Sequence, residues 1–224
     1  MAELAEKPSL GHIIERLKRV PSLDGIVVAT TMETIDDVIC KCARSAGVPV
    51  YRGSTDDVLA RTLEAAASVS ATTIVRVTGD CPLTDPDIVQ RVIESYQQHC
   101  PDYASNRLHG YKYPIGLDVE IFPRALLEIA DRKAREPRHR EHVTLFFYEH
   151  PERFRLLGIE PPASHRQPDL RLTLDTPEDY KFISALYDAL YERDPYFGLD
   201  AVLDYLRDHA SLVALNRHVQ QIKP

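Results

Sequence analysis

Apolar runs rich in β-branched residues alternate with segments of helical periodicity through the first hundred residues of the chain. The runs at 26–30, 48–51 and 72–78 have the length and composition of buried strands. The segments 35–46 and 56–69 between them repeat apolar residues at the spacing of one helix face. Strands and helices that alternate through short connections form right-handed βαβ units. The pattern therefore predicts an α/β fold with a mainly parallel sheet flanked by helices.

The order of elements loosens after residue 100. Further strands are predicted at 102–105, 117–122, 154–159 and 170–174, and further helices at 124–135 and 138–150. Since the alternation covers most of the length, residues 1–224 are predicted to form a single domain whose second half adds antiparallel strands.

The beginning of the chain departs from the usual doubly wound pattern. Such a domain normally begins with a strand, and its first strand-to-helix turn binds phosphate. This sequence begins with a helix, and no glycine precedes Gly11. No phosphate-binding loop is therefore predicted in this region.

Charge and cysteine content argue against several classes of function. The 224 residues carry a net charge of −7 and no cluster of five or more Lys and Arg, which disfavours a nucleic-acid partner. The four cysteines lack the paired spacing of a zinc site, and no apolar run approaches membrane-spanning length. We therefore predict a reduced, cytoplasmic protein without a membrane partner.

The segment GDCPLTDPD at 79–87 contains three aspartates directly after the strand predicted at 72–78. Asp85 stands before Pro86 and an apolar run of helical spacing, so it is predicted to be the N-cap of a helix. Asp80 has no such role. It lies where the strand ends, which is where open α/β sheets bind their ligands.

A second aspartate, Asp175, occupies the corresponding place after the strand predicted at 170–174. Thr176 can cap the following helix, and Asp179 stands at the acidic position of a capping box. Mg²⁺ in phosphoryl-transfer sites is commonly held by one or two carboxylates together with substrate phosphates. Asp80 and Asp175 are therefore candidate Mg²⁺ ligands, although a single aspartate at a strand end is more often a solvated turn residue.

A third acidic pair lies in the strand predicted at 117–122. Alternation along the strand points Asp118 and Glu120 to the same face. The pair could bind a metal or form the solvated face of an antiparallel strand, and the pattern favours the solvated face.

Four basic residues are candidates for binding phosphate or substrate. Arg52 follows the strand at 48–51, and Arg76 lies inside a buried strand, where it requires a partner. Arg140 and His142 belong to the cluster RHREH at 138–142, which could hold an anion or a sugar carboxylate. The same cluster could equally form the first turn of a surface helix.

Five segments follow one another in an order that resembles a known family. They are RGSTDDVLART (52–62), RVTGDCPLTDPDIV (76–89), YPIGLDVEIF (113–122), REHVTLFFYEHPERF (140–154) and LTLDTPEDYKFI (172–183). Together they resemble the cytidylyltransferases of the spore-coat polysaccharide type, relatives of the CMP-ketodeoxyoctonate and CMP-neuraminate synthetases.

This resemblance implies a nucleotide-diphospho-sugar transferase-like fold. It implies a reaction in which a hydroxyl of a sugar or sugar acid attacks the α-phosphate of CTP and releases pyrophosphate, in the service of surface polysaccharide synthesis. The implied Mg²⁺ ligands are Asp80 and Asp175, and the implied assembly is a homodimer. The identity of the sugar does not follow from the resemblance.

Members of the family bind the nucleotide with a first strand and the loop that follows it. The resemblance begins just after that loop, and Glu6-Lys7 occupy the positions where Gly-Lys is usual. Relative to the family, the sequence is therefore expected to lack its first strand and to bind CTP weakly. Two alternatives remain at this point. One is a non-catalytic relative that acts as a binding or partner subunit, and the other is a glycosyltransferase that uses Asp118 and Glu120 as its metal motif.

Overall fold

A computed structural model describes residues 1–108 and 110–221 of the chain. The strands are β1 (Glu3–Leu4), β2 (Lys7–Pro8), β3 (Val28–Thr31), β4 (Val50–Gly53), β5 (Thr73–Arg76), β6 (Tyr103–Ser105), β7 (Glu120–Pro123) and β8 (Leu156–Gly158). The helices are α1 (Ser9–Leu17), α2 (Asp37–Ser45), α3 (Val58–Ser68), α4 (Pro86–His99), α5 (Arg124–Lys133), α6 (Pro137–Glu141), α7 (Leu145–Tyr148), α8 (Pro177–Leu190) and α9 (Leu199–Asp208). The α/β class agrees with the prediction.

The strand pairing is mixed rather than mainly parallel. Four strands form one sheet in the order β5-β7-β6-β8, in which β7 runs antiparallel to both of its neighbours and β8 runs parallel to β6. Two strands of one sheet that run in the same direction require a crossover connection. Helix α4 is the crossover between β5 and β6, whereas the segment 106–119 before β7 contains no helix among its described residues. The chain therefore returns in the opposite direction and inserts β7 between β5 and β6.

The remaining strands form two smaller sheets. Strands β1 and β2 make an antiparallel hairpin, and β3 and β4 make a parallel pair connected through α2. Among the described residues, β3 bonds only to β4 and β5 bonds only to β7. The β3–β4 pair is therefore not joined to the four-stranded sheet by strand pairing.

Apolar side chains cover both faces of the four-stranded sheet. Ile121 packs into a core built mainly from helices α1, α4, α8 and α9, while the adjacent Phe122 packs into a second core around α5 and α7. Alternate residues of β7 thus face different cores, as the two-residue period of a strand requires. No helix in the described part of the chain is long and apolar enough to cross a membrane.

Three predictions about the elements differ from the structure. The first element is not a helix, because the short hairpin of β1 and β2 precedes α1. The helix predicted at 138–150 is broken into α6 and α7, because Val143 between them has a left-handed backbone with φ of 52°. The segment 170–174, predicted as a strand, makes only an isolated parallel bridge, between Arg171 and Ile115. Gly116 permits this close approach, since its φ is 97° and an added Cβ would lie 2.6 Å from the backbone of Leu172.

Candidate active site

A cavity of about 470 Å³ opens where β5 and β6 end and β7 begins. The segment 171–175 and the α6–α7 corner complete its wall. Its charged or titratable lining includes Arg76, Asp80, Arg107, Asp118, Glu120, Glu141, His142 and Asp175. The structure therefore brings together six of the eight site residues predicted from sequence: Arg76, Asp80, Asp118, Glu120, His142 and Asp175.

Asp80 and Asp175 lie on adjacent backbone segments at one edge of this cavity. The backbone N–H of Leu174 donates to the carbonyl of Asp80 at 2.9 Å, and the Thr173 hydroxyl donates to the same oxygen at 3.2 Å. Burial raises the pKa of Asp175 above its ordinary value, and the neighbouring Asp80 carboxylate contributes to this increase. The two carboxylates therefore repel each other in a way that a bound cation would relieve.

Other side chains cap the helices that follow these two aspartates. Asp85 accepts from the N–H of Asp87 at 2.9 Å, and Thr176 accepts from the N–H of Asp179 in a capping box at the start of α8. Both capping predictions are confirmed. Neither Asp80 nor Asp175 is needed to begin a helix, so their carboxylates can face the cavity.

Arg171 holds Asp175 in place and was missed by the sequence analysis. Its guanidinium donates to both carboxylate oxygens of Asp179, at 2.8 and 3.0 Å, and to Asp175 at 2.5 Å. The Arg171 side chain is only 4% exposed and Asp179 is fully buried. An arginine between Leu170 and Leu172 in an otherwise apolar run was the available signal, because a buried charge requires partners.

Glu120 is a buried carboxylate whose hydrogen-bonding capacity is largely used. It accepts from Arg76 at 2.5 Å, from the Tyr103 hydroxyl at 2.6 Å and from the Thr144 hydroxyl at 2.5 Å. Burial acts to raise the pKa of Glu120, but Arg76 and the two hydroxyls outweigh it and hold the pKa below its ordinary value. The prediction that Arg76 needs a partner is confirmed, and Glu120 is that partner.

Asp118 faces the same cavity, beside Arg107. The two side chains form an ion pair with an Nη1–Oδ2 distance of 3.4 Å. Burial raises the pKa of Asp118 to about 6 despite this arginine. Asp118 and Glu120 do share one face, but the interpretation of that face as solvated is wrong, because both carboxylates line the cavity and are paired with arginines. With Glu120 engaged in this way, the glycosyltransferase alternative loses its proposed metal motif.

The structure places Arg52 and Arg140 away from this cavity. Arg52 donates to the carbonyl oxygens of Thr31 and Glu33 and pairs with Asp37. Arg140 pairs with the carboxylates of Asp57 and Asp131, which links α6 to α3 and α5. Each guanidinium therefore connects neighbouring elements of the fold. The sequence pattern could not distinguish this structural role from phosphate binding.

The acidic edge fits a divalent cation that shares its ligands with a substrate. No group of three or more His, Cys, Asp or Glu side chains suited to a metal occurs in the part of the chain that the structure describes. Two adjacent carboxylates are the set that Mg²⁺ uses when substrate phosphates and water complete its shell. Asp80 also borders a second cavity, of about 420 Å³, beside β3.

Two adjacent aspartates beside a cavity at the edge of the sheet of an α/β fold are suited to binding a nucleotide phosphate through a divalent cation. The sequence profile of the family described as cytidylyltransferase matches residues 1–202. The chain therefore belongs to the cytidylyltransferase family of nucleotidyltransferases.

The chain is also similar to individual proteins and to a solved structure. The chain is 35% identical to the uncharacterized protein MJ1063 of Methanocaldococcus jannaschii, over 99% of this chain and 88% of the relative. It is 34% identical to the spore coat polysaccharide biosynthesis protein SpsF of Bacillus subtilis, over 76% of this chain and 70% of that protein. The solved structure of a cytidylyltransferase from Leptospira borgpetersenii superposes with a TM-score of 0.88 at 31% identity, covering 99% of this chain and 90% of that one.

Proposed function

We propose that the protein transfers CMP from CTP to a hydroxyl of a sugar or sugar acid and releases pyrophosphate, as a step in surface polysaccharide synthesis. The observation that carries the proposal is the acidic edge formed by Asp80 and Asp175 beside the 470 Å³ cavity. The family assignment supports the nucleotidyl transfer, and the similarity to a spore coat polysaccharide biosynthesis protein supports the pathway class.

In this proposal, Asp80 and Asp175 hold a Mg²⁺ ion. The ion would neutralise charge on the phosphate oxygens of CTP during transfer. Arg171 fixes the orientation of the Asp175 carboxylate, and the hydrogen bond from Leu174 to the Asp80 carbonyl fixes the spacing between the two backbone segments. The protein therefore presents both carboxylates with little reorganisation, which favours transfer.

The sugar would occupy the 470 Å³ cavity. Its attacking hydroxyl oxygen forms a bond to the α-phosphorus, the bond from that phosphorus to the bridging oxygen breaks, and pyrophosphate leaves. The hydroxyl proton is released as the new phosphoester forms. His142 lines the cavity and is a candidate for binding sugar hydroxyls there.

Pyrophosphate release from CTP tests this function directly. The purified protein is incubated with CTP, Mg²⁺ and a panel of neutral sugars, amino sugars and nonulosonic or octulosonic acids. Asp80→Asn and Asp175→Asn should each lower the rate by roughly 1,000-fold, because each removes a charge that balances the cation. Asp87→Asn is the matched control, since Asp87 is exposed in the first turn of α4 and lines neither the 470 Å³ nor the 420 Å³ cavity.

Two results would contradict the proposal. Near-normal turnover in either site variant would refute the two-aspartate metal site. Absence of turnover with every sugar, together with no heat of CTP binding in calorimetry, would favour the non-catalytic partner subunit.

We further propose that the protein works in the cytoplasm as a homodimer. Its four cysteines are all free, which is typical of a reducing compartment. Analytical ultracentrifugation would test the assembly, and a monomer at micromolar concentration would refute the homodimer.

A further inference from the structure

The C-terminal segment 210–221 contacts the residues that hold the acidic edge of the 470 Å³ cavity. We propose that Asn216 and Gln221 are positioning residues for this edge, which act through Arg171 and Asp179 to fix the Asp175 carboxylate where it faces the cavity. The inference rests on the proposed function and adds to its site two residues from the end of the chain.

Every nitrogen of the Arg171 guanidinium has a hydrogen-bond partner. Nε and Nη2 donate to the two carboxylate oxygens of Asp179, at 2.8 and 3.0 Å, and Nη2 also donates to Asp175 at 2.5 Å. The remaining nitrogen, Nη1, donates to the side-chain oxygen of Gln221. Because the guanidinium is planar and rigid, partners on all three nitrogens hold it in one orientation. Gln221 therefore helps to set the contact between Arg171 and Asp175.

Asn216 supports the same arginine at two other points. Its side-chain amide donates to the main-chain oxygen of Arg171 at 3.0 Å and to Asp179 Oδ1 at 2.9 Å. Asn216 is only 1% exposed and Asp179 is fully buried, so water does not readily replace this donor. A single neutral side chain thus fixes both the backbone of Arg171 and its ion-pair partner.

Asp179 connects this network to the backbone of Asp175. Its Oδ2 accepts from the N–H groups of Asp175 and Thr176, both at 3.1 Å. Asp175 is therefore held through its carboxylate by Arg171 and through its own N–H by Asp179. Replacing residues that orient a metal ligand from outside the coordination shell typically changes metal affinity or activity by roughly 10–100-fold.

Both positioning residues are amides, which matters for the charge of the edge. Arg171 already pairs with two carboxylates, those of Asp175 and Asp179. A third carboxylate at either amide position would compete with Asp175 for the guanidinium. An amide completes the hydrogen bonding of the network without adding charge.

The segment that contains the two amides is also packed against the core. Leu212 and Val213, in the short 3₁₀ turn Ala210–Leu215, contact the core that includes Phe182 and Leu186 of α8. This apolar contact does not depend on either amide. Replacing one amide should therefore loosen the polar network while the segment keeps its place.

Amide hydrogen exchange of the metal-free protein, followed by nuclear magnetic resonance, measures the positioning directly. The N–H groups of Asp175 and Thr176 should exchange about tenfold faster in Asn216→Ala and about threefold faster in Gln221→Ala, while exchange in the middle of α4 stays unchanged. Gln220→Ala is the matched control, since Gln220 is exposed beside Gln221 and lines neither cavity.

The second measurement is the Mg²⁺ concentration that gives half-maximal pyrophosphate release from CTP. We expect this concentration to rise about tenfold in Asn216→Ala and about threefold in Gln221→Ala, and to stay unchanged in Gln220→Ala. A variant that only lost folded protein would show a lower maximal rate at an unchanged Mg²⁺ requirement. The Mg²⁺ requirement therefore separates positioning from a merely structural role.

The two measurements also separate this inference from the proposed function. If no sugar yields pyrophosphate, the proposed function fails, and hydrogen exchange still decides whether the two amides position Asp175. Unchanged exchange at Asp175 and Thr176 in both variants would overturn the inference, as would an equal increase throughout α4. In an active protein, an unchanged Mg²⁺ requirement in both variants would overturn it as well.

Discussion

Replacing Asp85 with alanine should destabilise the protein far more than an ordinary N-cap substitution, because this carboxylate serves two helices. One oxygen accepts from the N–H groups of Asp87 and Ile88 at the start of α4. The other accepts from the N–H of Leu199, the first residue of α9, at 2.7 Å. The residue is only 6% exposed, so water does not readily replace it.

The size of the effect follows from these contacts. Loss of an N-cap costs about 1 kcal/mol, and a buried N–H left without an acceptor costs about 2 kcal/mol. We therefore expect the free energy of unfolding to fall by about 3 kcal/mol and the melting temperature by roughly 6–12 °C for a chain of this length. Asp87→Ala removes an exposed first-turn charge and should cost no more than about 0.5 kcal/mol.

Urea unfolding followed by far-UV circular dichroism measures both variants. A double-mutant cycle with Gly198→Ala makes the test specific, because a Cβ at Gly198 would lie 2.9 Å from the Asp85 carboxylate. That substitution should destabilise the wild-type protein but be better tolerated in Asp85→Ala. If Asp85→Ala costs less than about 1 kcal/mol more than Asp87→Ala, the bridging role is refuted.

Three further predictions concern the buried ionic groups of the cavity. Glu120→Gln should lower the free energy of unfolding by about 3 kcal/mol, because it leaves Arg76 without its partner; a loss below about 1 kcal/mol in urea unfolding would contradict the pairing. Burial raises the pKa of Asp118 from 3.8 to about 6, so the folded protein binds this proton more tightly than the unfolded chain does. The free energy of unfolding should therefore fall by about 1–3 kcal/mol as the pH rises from roughly 4 to 6. Asp118→Asn should remove this decrease, and an unchanged pH profile would refute the assignment. Arg171→Lys keeps the positive charge but loses the planar guanidinium, so the free energy of unfolding should fall by about 2 kcal/mol in urea unfolding. An unchanged free energy of unfolding would show that the guanidinium contacts with Asp175 and Asp179 do not stabilise the fold.

The features that could be predicted from sequence are those set by neighbours along the chain. A helix start depends on a cap and on the residues two or three positions later, so Asp85 and Thr176 were identified correctly. The same reasoning left Asp80 and Asp175 as polar residues at strand ends, and the structure brings them to one edge. Period-two alternation likewise placed Asp118 and Glu120 on one face.

Other features depended on which segments meet in three dimensions. Strand β7 is antiparallel to its neighbours because the described residues of the segment before it form no crossover helix, and the mixed sheet results from its insertion between two parallel strands. Arg140 and Arg52 looked like candidates for binding phosphate, but each is bound to acids on other elements. The acidic partner of an arginine can lie far away along the chain, so the residues next to the arginine do not show whether it binds phosphate or forms an ion pair within the fold.

The sequence by itself therefore determined most of the helices and strands, the caps of α4 and α8, and the positions of Asp80 and Asp175 just before those caps, because these depend on chemistry within a few positions. Only the tertiary structure determined which of the cavity carboxylates are paired with an arginine. Arg107 reaches Asp118 and Arg171 reaches Asp175 and Asp179 through the fold, and the charge of the cavity depends on these pairings. An ion pair exists only where the fold brings both partners within contact distance.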